Sequence, residues 1–347
     1  MKKGSLIYKV VFTTAVGAFS LYAVLDTFVI PHVYSTVTTE AAAVTAENSS
    51  SSNTAGTETA TDSSSSNSTG TASGSSSSAT TGTSSDSSSS SAADTSSDSA
   101  SSASVTDTSY SDGNISITIT TDRVDDTTVY VADVQVADAS YLKTAFAKGS
   151  YGKNVTATTS SIADSVGAIL AINGDYYGAQ ETGYVIRDGV LYRDTAESGQ
   201  EDLVIYSDGT FEIISEDDVT AQELLDKGAW QVLSFGPGIV ENGAVSISEN
   251  AEVGKAMASN PRTAIGQIGE NHYVFVVADG RTSESSGLSL YELAQYMQSL
   301  GCTTAYNLDG GGSSTMVFNG TVINNPTTTG NDVGTERKVS DIVYIGS

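Results

Sequence analysis

A change in composition near residue 112 constrains most strongly what this chain can fold into. Residues 40–112 contain no Lys or Arg, no aromatic residue before Tyr110, and long runs of Ser and Thr. Such a segment cannot bury enough apolar surface to offset the entropy lost on ordering, so we predict that it is disordered. The remaining C-terminal residues, 113–347, are sufficient for one domain of ordinary size.

An apolar stretch near the N-terminus predicts that this domain is exported. The stretch runs from Val10 to Leu25, with Lys9 before it and Asp26 after it. It is shorter than the roughly 20 residues of a spanning helix, but apolar flanking residues extend it. Lysines on its N-terminal side predict a cytoplasmic N-terminus and a single-pass anchor in the cell membrane, with the domain outside. Cleavage near residues 41–43, which would secrete the protein, is the alternative.

These features divide the chain into three segments. Residues 1–39 form a cytoplasmic stub, a transmembrane signal-anchor and a juxtamembrane segment. Residues 40–112 form a Ser/Thr-rich spacer, and residues 113–347 form the folded domain. As a flexible coil the spacer would span on the order of 50 Å, which permits the domain to work at a distance from the membrane.

The folded domain is strongly acidic, with 31 acidic and 12 basic residues from Gly113 onward. This charge argues against nucleic acid or an anionic lipid surface as a partner; the alternative is that it only keeps the protein soluble. Cys302 is the single cysteine, so the chain has no intrachain disulfide, and we interpret Cys302 as a buried structural thiol. The two histidines, His32 and His272, give little support to a Ser-His-Asp triad or a His-rich zinc site.

The apolar pattern predicts an α+β domain that is rich in strands. Alternating apolar residues predict half-buried strands over 115–119 and 129–136, and a helix is predicted over about 139–147. Capping boxes at residues 220–223 and 289–292 predict the starts of two short helices, and Asp-Gly pairs at 188–189 and 208–209 predict hairpin turns. Further strands are predicted over 167–172, 263–268, 273–278, 303–308, 315–318, 321–323 and 339–345. We therefore expect a single domain on a mixed, curved sheet with few helices.

A glycine-rich segment, residues 307–316, lies between two of these strands. Its three consecutive glycines would let the backbone approach a ligand closely and present N–H groups to an anion. Ser313 and Ser314 add hydroxyl donors, and Asp309 places a carboxylate beside them. The segment is neither a P-loop nor a dinucleotide-binding turn. Taken alone, a glycine-rich turn without function is the alternative.

Two other segments also place charged residues at strand ends. Arg262 and Thr263 begin one predicted strand, and Asp279 and Arg281 follow the next one along the chain. The planar fork of arginine suits recognition of phosphate through two hydrogen bonds. Surface ion pairs are the alternative for each segment taken alone.

Five segments follow one another along the folded domain: Asn173–Tyr177, Pro261–Gly266, Asp279–Arg281, Asn307–Ser314 and Glu336–Ser340. In this order they resemble the phosphodiester glycosidase family, whose members include enzymes that remove N-acetylglucosamine from phosphodiesters and bacterial proteins associated with exopolysaccharides. The resemblance covers roughly residues 155–346, and Asp175 departs from the small residue that other members often have at that position.

The resemblance implies an extracytoplasmic hydrolase that cleaves a glycosyl-1-phosphodiester bond in a cell-surface polysaccharide or sugar-phosphate polymer. Because the leaving phosphate is already an anion, the catalyst mainly has to stabilise an oxocarbenium-like transition state and bind phosphate. Asp309 and Asp279 are the candidate catalytic residues. The candidate substrate- and phosphate-binding residues are Asn173, Asp175, Arg262, Thr263, Arg281, Asn307, Gly310, Gly311, Gly312, Ser313, Ser314 and Arg337.

Two alternatives remain open from the sequence. The proposed chemistry requires no cofactor, but Asp175, Asp279 and Asp309 could together hold Ca²⁺ or Mg²⁺, which take oxygen ligands. The domain could also be a non-catalytic, wall-associated module that binds glycans through tyrosines such as Tyr176, Tyr177 and Tyr184.

Overall fold

The computed structural model describes residues 16–26, 29–34, 103–251 and 259–347. The predicted anchor from Val10 to Leu25 therefore lies partly outside the described residues, and the predicted spacer is described only from residue 103 onward. Residues 16–26 are helical, and none of the helices described has the length and apolar character needed to cross a membrane.

Strands dominate the described residues. The helices are α1 (residues 16–26), α2 (Thr159–Val166), α3 (Ala221–Asp226) and α4 (Leu290–Ser299). In chain order the strands are β1 (His32–Val33), β2 (Ser104–Val105), β3 (Ser109–Ser111), β4 (Ile115–Val124), β5 (Thr127–Val136), β6 (Leu142–Phe146), β7 (Gly152–Lys153), β8 (Leu170–Asn173), β9 (Val185–Arg187), β10 (Val190–Arg193), β11 (Glu201–Tyr206), β12 (Phe211–Ser215), β13 (Ala229–Ser234), β14 (Gly238–Glu241), β15 (Ala244–Val245), β16 (Arg262–Gly269), β17 (His272–Ala278), β18 (Thr304–Leu308), β19 (Met316–Phe318), β20 (Thr321–Val322) and β21 (Asp341–Ile345).

The strands form several antiparallel sheets rather than the single mixed sheet that the sequence predicts. The largest has nine strands in the order β15-β14-β18-β16-β17-β5-β4-β3-β2. Two five-stranded sheets have the orders β10-β9-β13-β11-β12 and β20-β19-β8-β21-β6, and β1 pairs with β7. The prediction of a strand-rich domain with few helices is confirmed, whereas the strand pairs are antiparallel throughout the described residues.

The three larger sheets share one hydrophobic core. Ile117 of β4 and Phe275 of β17 come from the nine-stranded sheet, Leu203 of β11 from one five-stranded sheet, and Leu170 of β8 from the other. All four side chains are almost completely buried. Burying one such side chain contributes about 1.5–3 kcal/mol, so contact among the sheets is a main source of the domain's stability.

A helix covers the other face of each large sheet. Leu293 of α4 packs on the nine-stranded sheet, Ile162 of α2 on the sheet that contains β8, and Leu224 of α3 on the sheet that contains β11. Cys302 is buried against α4, and burial raises the pKa of its thiol to about 12. Its interpretation as a buried structural thiol is confirmed.

Local sequence signals were reliable for turns and helix starts. Both predicted capping boxes are present, at the starts of α3 and α4. The Asp-Gly pairs at 188–189 and 208–209 join β9 to β10 and β11 to β12 as antiparallel hairpins. Each of these signals depends only on residues a few positions apart, so the turn or helix start can be predicted without knowledge of the tertiary contacts.

The helix predicted over 139–147 is wrong. Short 3₁₀ turns at Ala139–Tyr141 and Ala147–Gly149 flank a strand, β6, over Leu142–Phe146. All five residues of β6 pair with β21, which lies about 200 residues further along the chain. Tertiary pairing therefore overrides the local helical pattern.

The described strands begin before residue 113. Strand β3 pairs with β4, and β2 pairs with β3, so both extend one edge of the nine-stranded sheet. Tyr110 packs against the central core, and its hydroxyl donates to Asp112 at 2.9 Å. Residues 104–111 therefore belong with the domain, although the sequence assigns them to the spacer.

We expect a fragment of residues 103–347 to unfold cooperatively and at a higher temperature than a fragment of residues 113–347. The shorter fragment lacks β2 and β3 and exposes the edge of β4, and each 1 kcal/mol lost lowers the Tm by about 2–4 °C in a domain of this size. Circular dichroism during heating measures both transitions. Equal Tm values would show that β2 and β3 add no stability, and a featureless melt would contradict a single folded domain.

Candidate active site

The candidate site lies at one end of the nine-stranded sheet, at the ends of the three neighbouring strands β18, β16 and β17. In the antiparallel register Arg262, at the start of β16, pairs with Ala278, at the end of β17. Thr263 pairs with Leu308, at the end of β18. The residues that begin β16 are therefore neighbours of the segments that follow β17 and β18. The sequence motifs at these strand ends require this proximity.

A cavity of about 180 Å³ opens at this end of the sheet. Six of the predicted site residues border it, and three of these are arginines. Phe235 and Asn260 border it as well, and neither was predicted. The six predicted residues are Arg262, Arg281, Asp309, Gly310, Gly311 and Arg337.

Asp309 is the carboxylate of this cavity. Arg337 donates through Nη2 to both of its oxygens, at 2.9 and 3.2 Å, and the hydroxyl of Ser313 donates to it at 2.5 Å. Only 8% of Asp309 is exposed, whereas 39% of the Arg337 side chain is. Burial raises the pKa of Asp309 above its ordinary value, and Arg337 and Ser313 oppose that rise. The carboxyl is thus desolvated but held in a fixed orientation.

Arg281 is fixed in place at the mouth of the cavity. Its backbone has a φ of 61°, its Nη2 donates to Oδ1 of Asn260 at 2.9 Å, and its Nη1 donates to the carbonyl of Thr328 at 2.5 Å. Arg262 is almost fully buried, and its Nε donates to the carbonyl of Leu288 at 3.0 Å. With Arg337, these side chains place three positive charges around one cavity, an arrangement that suits an anion such as phosphate.

The glycine-rich segment forms a 3₁₀ turn over Gly311–Ser313. The N–H of Gly311 donates to the carbonyl of Pro261 at 2.8 Å, so this N–H is not presented to the cavity as the sequence predicts. Gly311 has a φ of 60°, and a Cβ there would lie 3.0 Å from Arg281. At Gly312 a Cβ would overlap the hydroxyl of Thr328. The glycines therefore allow close packing around Arg281 and the loop at residue 328.

Four predicted binding residues point into the protein rather than into the cavity. Asn173, at the end of β8, donates to the carbonyl of Asp309 at 2.6 Å and accepts from the hydroxyl of Thr263 at 2.8 Å. The side chain of Asn307 donates to the carbonyl of Gly236 at 2.8 Å. Both Asn173 and Asn307 are completely buried, as are Thr263 and Ser314. These residues join the segments that carry the site.

Asp279 does not border the cavity of Asp309. Its carboxylate accepts from the side chain of Asn324 at 3.1 Å and from the backbone N–H of Asn325 at 2.9 Å. It borders a neighbouring cavity that also includes Arg281. The two predicted catalytic carboxylates therefore border different cavities, and Arg281 borders both.

Asp175 lies in a buried ion cluster and does not border the cavity. Arg187 donates through Nη2 to Asp175 at 2.9 Å and to Asp341 at 2.7 Å, and all three side chains are nearly inaccessible. Asp175 also accepts from the N–H of Ser234 at 3.0 Å. Asp175, Asp279 and Asp309 each have different partners, so the structure does not support the alternative in which they together hold Ca²⁺ or Mg²⁺. Among the described residues, no group of three or more acidic, His or Cys side chains could hold a metal ion.

The sequence contains only a weak signal for the two site residues that were missed. Asn260 directly precedes the Pro261-Arg262 motif, so extension of the motif by one residue would have included it. Phe235 lies between β13 and the Gly236-Pro237 pair. The pairing of β14 with β18 places this turn beside the cavity. No local pattern in the sequence indicates that pairing.

Comparison with known proteins finds a matching family model and several relatives. Residues 166–346 match the family model described as phosphodiester glycosidase. The mouse N-acetylglucosamine-1-phosphodiester alpha-N-acetylglucosaminidase is 31% identical over 184 residues, 49% of this chain and 35% of that protein. The SPbeta prophage-derived uncharacterized protein YomE of Bacillus subtilis is 32% identical over 200 residues, 56% of this chain and 30% of that protein. The chain thus spans about a third of the length of these relatives.

A solved structure shares the fold. The catalytic domain of the zebrafish N-acetylglucosamine-1-phosphodiester alpha-N-acetylglucosaminidase, auto-inhibited by its pro-peptide, superposes with a TM-score of 0.54 at 25% identity. The match covers 67% of this chain and 83% of the zebrafish chain. The strand-rich architecture therefore occurs in a solved structure.

Proposed function

Because the chain belongs to the phosphodiester glycosidase family, we propose that it hydrolyses the bond between the anomeric carbon of a sugar and a phosphodiester. The observation that carries this proposal is the cavity in which Arg262, Arg281 and Arg337 surround the desolvated carboxyl of Asp309. Relatives named for N-acetylglucosamine-1-phosphodiesters make N-acetylglucosamine the first donor sugar to test.

In the proposed reaction, water attacks the anomeric carbon and the bond from that carbon to the phosphate oxygen breaks. The electron pair of the broken bond leaves with the phosphate monoester. Asp309 takes the proton of the attacking water and later releases it to solvent. The arginines stabilise the negative charge on the departing phosphate, so it requires little protonation.

Arg337 acts on Asp309 as well as on the substrate. Its two hydrogen bonds to the carboxylate oppose the rise in pKa that burial causes. Asp309 therefore keeps a larger fraction of its charged, proton-accepting form at neutral pH than burial alone would allow. A non-catalytic glycan-binding module would not require a carboxyl desolvated beside three guanidinium groups.

Release of free sugar tests the proposed function directly. The full chain is incubated with methyl N-acetylglucosamine-1-phosphodiester, and free N-acetylglucosamine is measured over time. We expect release from the phosphodiester and little release from the neutral methyl glycoside, because only the first has an anionic leaving group. Binding of both ligands without release of sugar from either would favour the glycan-binding module.

We also propose that the enzyme works outside the cytoplasm on a cell-surface polysaccharide or sugar-phosphate polymer. The N-terminal lysines followed by an apolar stretch support export. The acidic domain disfavours docking on an anionic membrane surface. Cell fractionation and protease treatment of intact cells distinguish an anchored from a secreted protein. Protection from external protease would contradict the location.

Replacing Arg281 with Ala is expected to weaken binding of phosphodiester substrates by about tenfold or more, because a charge-assisted hydrogen bond to phosphate is lost. Binding of the neutral methyl glycoside should change little. Titration calorimetry with both ligands measures the difference. Lys227→Ala, which removes an exposed positive charge on the α3 side, is the control. Equal losses for the two ligands would contradict a role for Arg281 in phosphate binding.

Replacing Arg337 with Gln is expected to move the acid limb of the kcat/KM profile to higher pH. The substitution removes the cation that lowers the pKa of Asp309, so that pKa rises further above its ordinary value. A proton acceptor must be ionised, and the variant therefore loses activity at a higher pH as the solution is acidified. Lys338→Gln, at the exposed neighbouring residue, should leave the limb in place. An unshifted limb in Arg337→Gln would contradict Asp309 as the base.

A further inference from the structure

A closed loop, residues 326–335, lies against Arg281 at the mouth of the cavity. Its two ends meet, because the N–H of Gly334 donates to the carbonyl of Pro326 at 2.8 Å. Gly330, near the middle of the loop, has a φ of 83°, and a Cβ there would overlap the backbone carbonyl oxygen of Arg281. The loop backbone therefore packs on the residue to which the proposed function assigns phosphate.

Asp332 holds the first part of this loop. Its Oδ1 accepts a hydrogen bond from the hydroxyl of Thr327 at 2.7 Å and from the backbone N–H of Thr328 at 3.0 Å. It also accepts from the N–H and the hydroxyl of Thr329, at 2.9 and 3.1 Å. These hydrogen bonds, with that from the Thr329 N–H first, lower the pKa of Asp332 well below its ordinary value. Donors from three consecutive residues thus converge on one carboxylate oxygen.

Thr328, the middle residue of the three, is the one that contacts Arg281. Its carbonyl accepts from Nη1 of Arg281 at 2.5 Å, whereas Nε and Nη2 donate to Asn260. Arg281 is exposed, and an exposed arginine without such contacts would sample several rotamers. A guanidinium that is held in one orientation before the substrate arrives loses less conformational entropy when it binds phosphate.

We propose that Asp332 is a positioning residue for the reaction, because it fixes the Thr328 carbonyl that holds the guanidinium of Arg281 where phosphate binds. The inference rests on the proposed function, which assigns phosphate to Arg281. Asp332 lines neither of the cavities that Arg281 borders, so it acts through Arg281 and not on the substrate. A carboxylate in contact with the phosphate would instead repel it.

Replacing Asp332 with Ala removes all four hydrogen bonds and tests the proposal in the full chain. We expect the KM for methyl N-acetylglucosamine-1-phosphodiester to rise at least about fivefold. We expect a smaller change in kcat, since Asp309 and Arg337 keep their contacts. The neutral methyl glycoside, measured as a competitive inhibitor in the same assay, should keep its inhibition constant. Asp332→Asn keeps the Oδ1 acceptor but loses the charge, so its KM should stay within about twofold of that of the unchanged chain.

A double substitution shows whether Asp332 acts through Arg281. In the Arg281→Ala chain, Asp332→Ala should raise the KM no further, because substitutions that remove the same interaction are not additive. Asp208→Ala is the matched control, since Asp208 is also an exposed turn carboxylate that accepts from the N–H of a threonine, Thr210. Its hairpin contacts Tyr273 at the start of β17, at the opposite end of that strand from the site. We expect this control to leave the KM unchanged.

Three results would each overturn the inference and leave Asp332 with a role in folding alone. They are an equal KM in Asp332→Ala and Asp332→Asn, a parallel loss of affinity for the neutral glycoside, and a further rise of the KM in the Arg281→Ala chain. The Tm of each variant shows whether the domain remains folded. Release of no sugar by the unchanged chain would instead contradict the proposed function, and this inference with it.

Discussion

Replacing Asp309 with Asn is expected to lower turnover by at least about a hundredfold while the domain remains folded. Asn has nearly the same size and can still accept the hydrogen bonds that Arg337 and Ser313 donate. It cannot accept a proton from water, so the proposed base is lost. The measurements are kcat on an N-acetylglucosamine phosphodiester and the Tm of the variant.

Asp279→Asn is the informative comparison for Asp309→Asn. The side chains of Asn324 and Asn325 and the backbone N–H of Asn325 donate to Asp279. Its substitution should therefore mainly lower the Tm, with a smaller effect on kcat. Near-normal turnover in Asp309→Asn, together with a lower Tm, would indicate that Asp309 only stabilises the turn and is not catalytic. Asp279 would then become the leading candidate for the catalytic carboxylate.

Replacing Arg187 with Met is expected to destabilise the domain by about 3–5 kcal/mol, because removal of one partner leaves buried charge uncompensated. Arg187 is the cation between Asp175 and Asp341, and it also lies 5.9 Å from the ring centroids of Phe146 and Tyr177. Burial, followed by the charge of Asp175, raises the pKa of Asp341 above its ordinary value. Arg187 is the cation that pairs with both carboxyls of the cluster.

Urea denaturation of Arg187→Met measures this loss as a change in the free energy of unfolding. Arg193→Met is the matched control, because Arg193 is also buried but donates to the carbonyls of Gly183, Tyr177 and Gln180 rather than to carboxylates. We expect a smaller loss in the control. Equal losses in the two variants would indicate that packing, not charge balance, explains the effect.

The sequence motifs predict which segments converge better than they predict which side chains border the cavity. Segments at the ends of β16, β17 and β18 converge because antiparallel pairing brings those ends together, and the turn signals and strand patterns were visible locally. Whether a side chain at such an end faces solvent or the interior depends on the neighbouring sheet. The side chain of Asn173 points into the protein because it hydrogen-bonds there to the hydroxyl of Thr263 and to the backbone carbonyl of Asp309.

Two differences between prediction and structure have a common physical cause. The local pattern over residues 139–147 predicts a helix, whereas β6 pairs with β21, about 200 residues away. The motif around Asp175 predicts a binding residue, whereas Asp175 shares the buried Arg187 with Asp341, 166 residues away. Long-range pairing leaves no periodic pattern and no local motif in a single sequence.

The pairing of β1 with β7 changes what the Ser/Thr-rich segment can do. Tyr34 donates its N–H to the carbonyl of Tyr151 at 3.0 Å, and the two rings lie 5.9 Å apart. Strand β2, at Ser104, also belongs to the domain. Both β1 and β2, which flank this segment, are therefore paired with strands of the domain. While β1 is paired, the length of the segment adds no distance between α1 and the domain.

Closure of a segment of roughly 70 residues costs about 4 kcal/mol of chain entropy. Two paired residues, the hydrogen bond of the Tyr34 N–H and a ring contact oppose this cost. We infer that β1 acts as a clasp. When β1 is paired with β7, it keeps the domain next to α1. When β1 is released, the length of the whole segment between β1 and β2 can separate the domain from α1. A side chain at Gly152 would overlap the carbonyl of His32, so Gly152→Ala should open the clasp. Faster amide exchange at Tyr34 in that variant would demonstrate the opening, whereas unchanged exchange would contradict it. Gly152 would then determine how far the domain can move from α1, without altering the chemistry of the site.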